Sequence, residues 1–183
     1  MADEDLRREG VAYSEGTGVE PCNWGDLKVE AYARSVSDQL GFAPGDALHA
    51  VLERVGGRIQ KRDPSQYPFS LEAGSVFVHG VCDFDIVLAS LWHPTRDRFT
   101  VAHELGHYFL HSQQGQRPII AWRHGSTRIE WEANWFAAEF LMPAVDFADR
   151  QARGWSESKL AAWFGVSPEA ARVRMKVLDG RVA

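Results

Sequence analysis

The sequence predicts an α+β fold: a small, mostly antiparallel sheet lying beside helices, followed by a helical C-terminal segment. Three observations carry this reading. Two stretches near the N-terminus place apolar residues at helical spacing and stop at glycine. The middle of the chain breaks into short β-branched or apolar runs, joined by connections too short for helical crossovers. From Pro94 onward the pattern is helical almost throughout.

The elements follow in order. Residues 1–22 are polar, Gly- and Glu-rich and aperiodic, and are expected to form a mobile tail. Val29, Tyr32, Ala33, Val36 and Leu40 make one stripe on a helix from Leu27 to Leu40, which Gly41 ends. Asp46 is the expected cap of a second helix carrying Ala47, Leu48, Val51, Leu52 and Val55, closed by Gly56-Gly57. Strands are expected over Arg58–Lys61, Ser75–His79 and Asp85–Leu91, punctuated by Pro64, Pro68, Gly74 and Gly80. A helix opens at Pro94-Thr95 and runs to His111. Phe99, Val101, Ala102, Leu105, Phe109 and Leu110 cover most of its sides, which marks a buried helix. After a loop, another helix runs from Arg128 to Met142 and stops at Pro143, and the remainder is helical with breaks at Gly154-Trp155 and Gly165.

Composition sets outer limits. A chain of 183 residues suits one domain with a small appendage, and a hydrophobic fraction of 45% suffices for a core. The net charge of -5 excludes a surface given over as a whole to nucleic acid. Cys22 and Cys82 lie far apart, and neither belongs to a close Cys or His pair of the structural zinc type, so both read as reduced thiols. The N-terminus lacks the pattern of a signal peptide, and no stretch approaches the roughly 20 apolar residues of a membrane span. The expectation is a soluble, cytoplasmic protein without a membrane partner.

The chemistry concentrates in His103-Glu104-Leu105-Gly106-His107. Side chains four apart on a helix point the same way, so His103 and His107 can reach one zinc ion. Glu104, turned about 100° from His103, can serve a water without binding the metal, as a general base beside a Lewis acid. Two His and a Glu are costly on an apolar helix unless they are paired or metal-bound. Gly106 costs about 1 kcal/mol relative to Ala inside a helix, which a close approach by another backbone would explain.

A third ligand completes a catalytic site and leaves one position open. His111 lies about 12 Å along the axis from His103, too far to share the metal, and is expected to support a ligand or to pack. On the later helix Glu130, Ala133, Asn134, Ala137 and Leu141 form one stripe, whose small residues could pack close to Gly106. Glu130 is therefore the preferred third ligand and Glu132 the alternative. Asn134, one turn on, could accept the outer N–H of a ligating histidine.

The run from Asp97 to His111, followed by Glu130-Trp-Glu-Ala-Asn-Trp-Phe-Ala-Ala-Glu-Phe-Leu-Met-Pro143, resembles the ImmA/IrrE family of metallopeptidases. The resemblance spans Leu27 to Gly180 and is strongest from Arg98 to Pro143. Phe140 stands where the family usually has Leu, a difference of packing alone. The resemblance implies a compact gluzincin-like fold with a small sheet beside zincin-type active-site helices. It implies zinc held by His103, His107 and Glu130, with Glu104 as catalytic acid/base. It further implies site-specific cleavage of a helix-turn-helix transcriptional repressor, the alternative being a regulator or toxin–antitoxin component that uses the fold mainly to bind protein or DNA. An edge strand, expected in the Asp85–Ser90 region, would hold an extended substrate. His124, His93 and Tyr67 are candidates to stabilise the oxyanion. The domain reading is a tail over 1–22, a metallopeptidase domain over 23–150 and a helical segment over 151–183.

That last segment resembles a helix-turn-helix between Leu160 and Met175. Gly165 makes the turn, Ser167 caps and Pro168 opens the second helix, which carries Arg172, Arg174 and Lys176. Packing of this hairpin on the peptidase domain is favoured over DNA binding, because a single motif binds DNA weakly.

Overall fold

A computed structural model of the chain describes residues 4–15, 18–62, 74–89, 94–122 and 127–182. After a short 3-10 turn at Glu4–Leu6 come β1 (Ser14–Glu15), α1 (Asp26–Leu40), α2 (Leu48–Arg54), β2 (Gly57–Arg62), β3 (Ser75–Gly80) and β4 (Asp83–Ala89). Then follow α3 (Pro94–Gly106), a π-helical turn (His107–His111), β5 (Ile119–Trp122), α4 (Arg128–Leu141), α5 (Ala144–Ala152), α6 (Glu157–Phe164) and α7 (Pro168–Val182). The class is α+β, as expected. Among the described residues no helix is long and apolar enough to cross a membrane.

The sheet has five strands in the order β1-β5-β3-β4-β2. Its inner pairings, β3 with β4 and β3 with β5, are antiparallel. Its outer pairings, β2 with β4 and β1 with β5, are parallel. The expected edge at Asp85–Ser90 is corrected by this order, because β4 is paired on both sides (Ser90 lies outside the described residues). The physical reason is in the sequence. Phe84, Ile86, Val87 and Leu88 are all buried, and an apolar run that ignores alternation belongs to a strand covered on both faces.

Period-two alternation sorts the sheet's side chains onto two faces. Val76, Val78, Phe84, Ile86, Ile119 and Ala121 join the main core with the helices. Phe77, Val87 and Ile120 point the other way and are closed over by Leu6 and Tyr13. The N-terminal segment, expected as a mobile tail over 1–22, thus covers the outer face of the sheet in its described part. Leu6 is buried there, and Val19 joins the main core. An apolar sheet face left to water would cost more than ordering a few residues to cover it.

Two smaller differences are local. Asp46 does not cap α2; its Oδ2 accepts from the Ala43 N–H at 2.8 Å in the preceding turn, and Ala47 stands at the helix start. At the C-terminus Ser167 Oγ accepts from the Ala170 N–H at 3.1 Å, just ahead of Pro168, as capping chemistry predicts. Arg174 is buried: its Nη1 donates to Glu30 on α1 at 2.7 Å, its Nη2 to Glu139 on α4, and its Nε to the Met142 carbonyl at 3.1 Å. Arg172 is held by Glu157 through two bonds of 2.9 Å. Arg174 therefore anchors α7 to α1 and α4.

Candidate metal centre

Two helices build the site. From Thr100 to Gly106 every residue of α3 is buried, and the π turn His107–His111 continues in the same core. The turn is seen in the Ser112 N–H, which bonds to the His107 carbonyl at 3.0 Å; such turns often sit at functional sites. α4 crosses α3 at Gly106. A Cβ there would lie 3.0 Å from Ala133 Cα and 3.3 Å from Phe136 Cβ, so only glycine admits α4 this closely. The Gly106–Ala133 approach carries Glu130 to the histidines.

His103 Nε2 and His107 Nε2 are 3.1 Å apart. Glu130 reaches both, Oε2 at 3.2 Å from His103 and Oε1 at 3.4 Å from His107. The three residues are almost wholly buried, and one ligating atom of each lies within 4.8 Å of the others. The outer nitrogens are engaged. His103 Nδ1 donates to Asn134 Oδ1 at 3.0 Å, which leaves its Nε2 as a lone pair facing inward. His107 Nδ1 meets His111 Nδ1 at 3.0 Å, and His111 Nε2 meets Glu132 Oε2 at 3.0 Å. A carboxylate only accepts, so His111 carries its proton on Nε2 and receives one from His107 at Nδ1. His107 Nε2 is then a second inward lone pair.

Two imidazole lone pairs and a carboxylate converging in a dry pocket repel one another unless a cation joins them. Glu130 Oε1 has no hydrogen bond among the described residues, consistent with that need. Burial pushes the Glu130 carboxyl up, but ring N–H groups of His103 and His107 turned toward it outweigh that and hold it at about 2, so in the absence of a cation a histidine proton takes the cation's place between the acceptors. Two borderline nitrogen donors and one carboxylate suit zinc.

Glu104 is buried beside this group and is not part of it. Its carboxylate lies toward the chain entering β3: a Cβ built on Gly74 would come within 3.2 Å of Glu104 Oε1. Glu132, the alternative ligand, turns away from His103 and His107 to serve His111. It also accepts from the Arg128 Nε at 2.9 Å and the Cys22 N–H at 2.9 Å. Burial works against the Glu132 charge, yet His111, Arg128 and Cys22 together lower its carboxyl to about 2. Burial is also the chief reason that the His111 ring is lowered to about 4, so it is neutral at pH 7. His124, His93 and Tyr67 lie outside the described residues. What sequence reasoning missed was Cys22 and the service of Glu132 to His111. Only the co-occurrence of a third histidine and a second glutamate on the same two helices hinted at the latter.

Residues 72–176 match the peptidase M78 family, described as the IrrE N-terminal-like domain. The match covers more than half of the chain and includes both site helices. The chain belongs to this family. It is also similar to metallopeptidase ImmA of Bacillus subtilis (strain 168), 32% identical over 72 residues, which are 38% of this chain and 43% of that relative. The matched stretch thus spans less than half of the relative's length.

Proposed function

We propose that the chain is a zinc-dependent endopeptidase acting in the cytoplasm, with His103, His107 and Glu130 as ligands and Glu104 as general acid/base. The convergence of three buried acceptors, the two histidines oriented from behind, carries this reading. Zinc held by His103, His107 and Glu130 would supply Lewis acidity toward a scissile carbonyl and a water. Glu104 takes the proton from the attacking water and delivers it to the leaving amine. Asn134 keeps the His103 proton on Nδ1, and His111, fixed by Glu132, does the same for His107.

Membership of the M78 family and the likeness to a metallopeptidase support hydrolysis. The substrate we assign, a helix-turn-helix transcriptional repressor cut at one site, rests on the ImmA/IrrE family likeness. The buried Arg174 supports a protein substrate over direct DNA binding.

The test is Glu104→Gln. Purified wild type should carry about one zinc per chain, and the variant should keep the metal while losing about 100- to 10,000-fold in cleavage. The assay uses a helix-turn-helix repressor encoded beside the protein's own gene, with products identified by mass spectrometry. A Gln variant of full activity, or a wild type that binds no zinc, would refute the proposal.

A further inference from the structure

We infer that Cys22, His111 and Glu132 form a second, weaker site for a zinc-class divalent cation, and that filling it opposes metal binding at His103, His107 and Glu130. The inference rests on the ligand assignment proposed above.

The donors are in place. A ligating atom from each of the three residues lies within 4.8 Å of the others, and His111 and Glu132 are buried. Cys22 and His111 both line a cavity of about 370 Å³, which gives a cation a route in and a water room to complete the coordination. A thiolate, a neutral imidazole and a carboxylate together balance a 2+ charge, and the sulfur favours zinc over magnesium or calcium. Arg128 holds Glu132 through Oε1, while Oε2 accepts from the Cys22 N–H at 2.9 Å and faces His111 Nε2 at 3.0 Å, with lone-pair capacity left for a cation. On binding, the cation displaces the Cys22 thiol proton to solvent and takes the place of the proton on His111 Nε2, which shifts to Nδ1. The site made by His103, His107 and Glu130 displaces neither, so it fills first.

The opposition follows from one shared hydrogen bond. His107 ligates through Nε2 only with its proton on Nδ1, pointed at His111 Nδ1 3.0 Å away. If His111 ligates through Nε2, its own proton moves to Nδ1 and points back. Two N–H groups cannot share that contact, so the neutral histidines support one metal or the other. Loss of such an outer partner weakens a metal site about 10- to 100-fold, and the coupling is reciprocal.

The experiment is a cobalt(II) titration of the full-length, metal-free protein, read by absorption. In wild type the first equivalent should bind without a sulfur-to-cobalt charge-transfer band, and further cobalt should produce that band. Cys22→Ala should lack the band and keep the first equivalent. His103→Ala should lose the first equivalent and show the band at about 10- to 100-fold lower cobalt than wild type. Zinc in excess should suppress peptide cleavage in wild type and leave Cys22→Ala active. A wild type with no sulfur band at any cobalt concentration overturns the second site, and an unshifted band in His103→Ala overturns the opposition. Retention of the band-free equivalent in His103→Ala would instead overturn the ligand assignment, so the two failures are separable.

Discussion

Buried histidines meet carboxylates on both faces of the sheet, and the His79–Asp85 and His103–His107–Glu130 clusters are built to opposite ends. On the outer face His79 Nε2 donates to Asp85 Oδ2 at 2.9 Å, while Tyr13 Oη donates to His79 Nδ1 at 2.6 Å. Asp85 also accepts from Arg58 at 3.0 and 3.1 Å and from Gln60 at 3.2 Å. Every acceptor there has its donor, and the cluster is closed. On the inner face His103, His107 and Glu130 aim acceptors at a common point, while all their donors face outward. The same residue types therefore give a closed cross-link in one place and, in the other, an open set of acceptors that we propose as a cation site. What distinguishes them is the direction of the protons.

The largest contrast should appear when each cluster loses its carboxylate. Glu130→Gln should lower zinc affinity and peptide cleavage by more than about 100-fold, since even loss of an outer partner costs 10- to 100-fold. The metal-free fold should lose less stability than in Asp85→Ala, because the amide keeps the shape of the carboxylate and can still accept from a histidine ring. Asp85→Ala should do the reverse. It strands His79, leaves Arg58 with Asp83 as its remaining partner, costs about 1–3 kcal/mol and leaves zinc content unchanged. Metal analysis and denaturant melts of the metal-free proteins read both halves. Equal destabilisation by the two substitutions would erase the distinction.

Gly106→Ala sharpens the comparison from the packing side. The new Cβ meets α4 backbone, which cannot yield as a flexible side chain would. Overpacking of this kind costs about 1–3 kcal/mol, and here it also moves Glu130 away from the histidines. Metal affinity should fall together with stability. A variant that melts lower yet binds zinc as tightly as wild type would show that the α3–α4 approach does not set the ligand geometry.

Much of the inner cluster was legible because its information is local. The spacing of His103 and His107 fixes their common direction, and the stripe Glu130, Ala133, Asn134 together with Gly106 specifies which face of α4 arrives. The outer cluster was illegible for the same reason inverted. Tyr13 and His79 lie 66 residues apart in a segment with no periodicity, and their contact exists only because the sheet needed a cover. β1 and β5, of two and four residues, are too short to show alternation. Helical arithmetic turned Glu132 away from Glu130 correctly, but nothing local says that His111 and Cys22 wait on that side.

The smallest effect, and the one that separates the clusters without touching the metal, is in acid. Burial pushes the Asp85 carboxyl up, but the bonds from His79, Arg58 and Gln60 prevail and hold it well below the usual carboxylate range. A carboxyl depressed in the folded state contributes its stability above its unfolded pKa of about 4 and loses it as pH falls through the folded value. Wild type should thus lose about 1 kcal/mol from this group alone between pH 7 and pH 3, where the unfolded carboxyl already takes up its proton. Asp85→Asn has no proton to take up, so its deficit against wild type should shrink by that amount over the same interval. Paired melts at the two pH values, with metal removed, measure the difference. A constant deficit would mean that Asp85 is held by packing rather than by its charge, and the outer cluster would then be closed in shape but not in electrostatics.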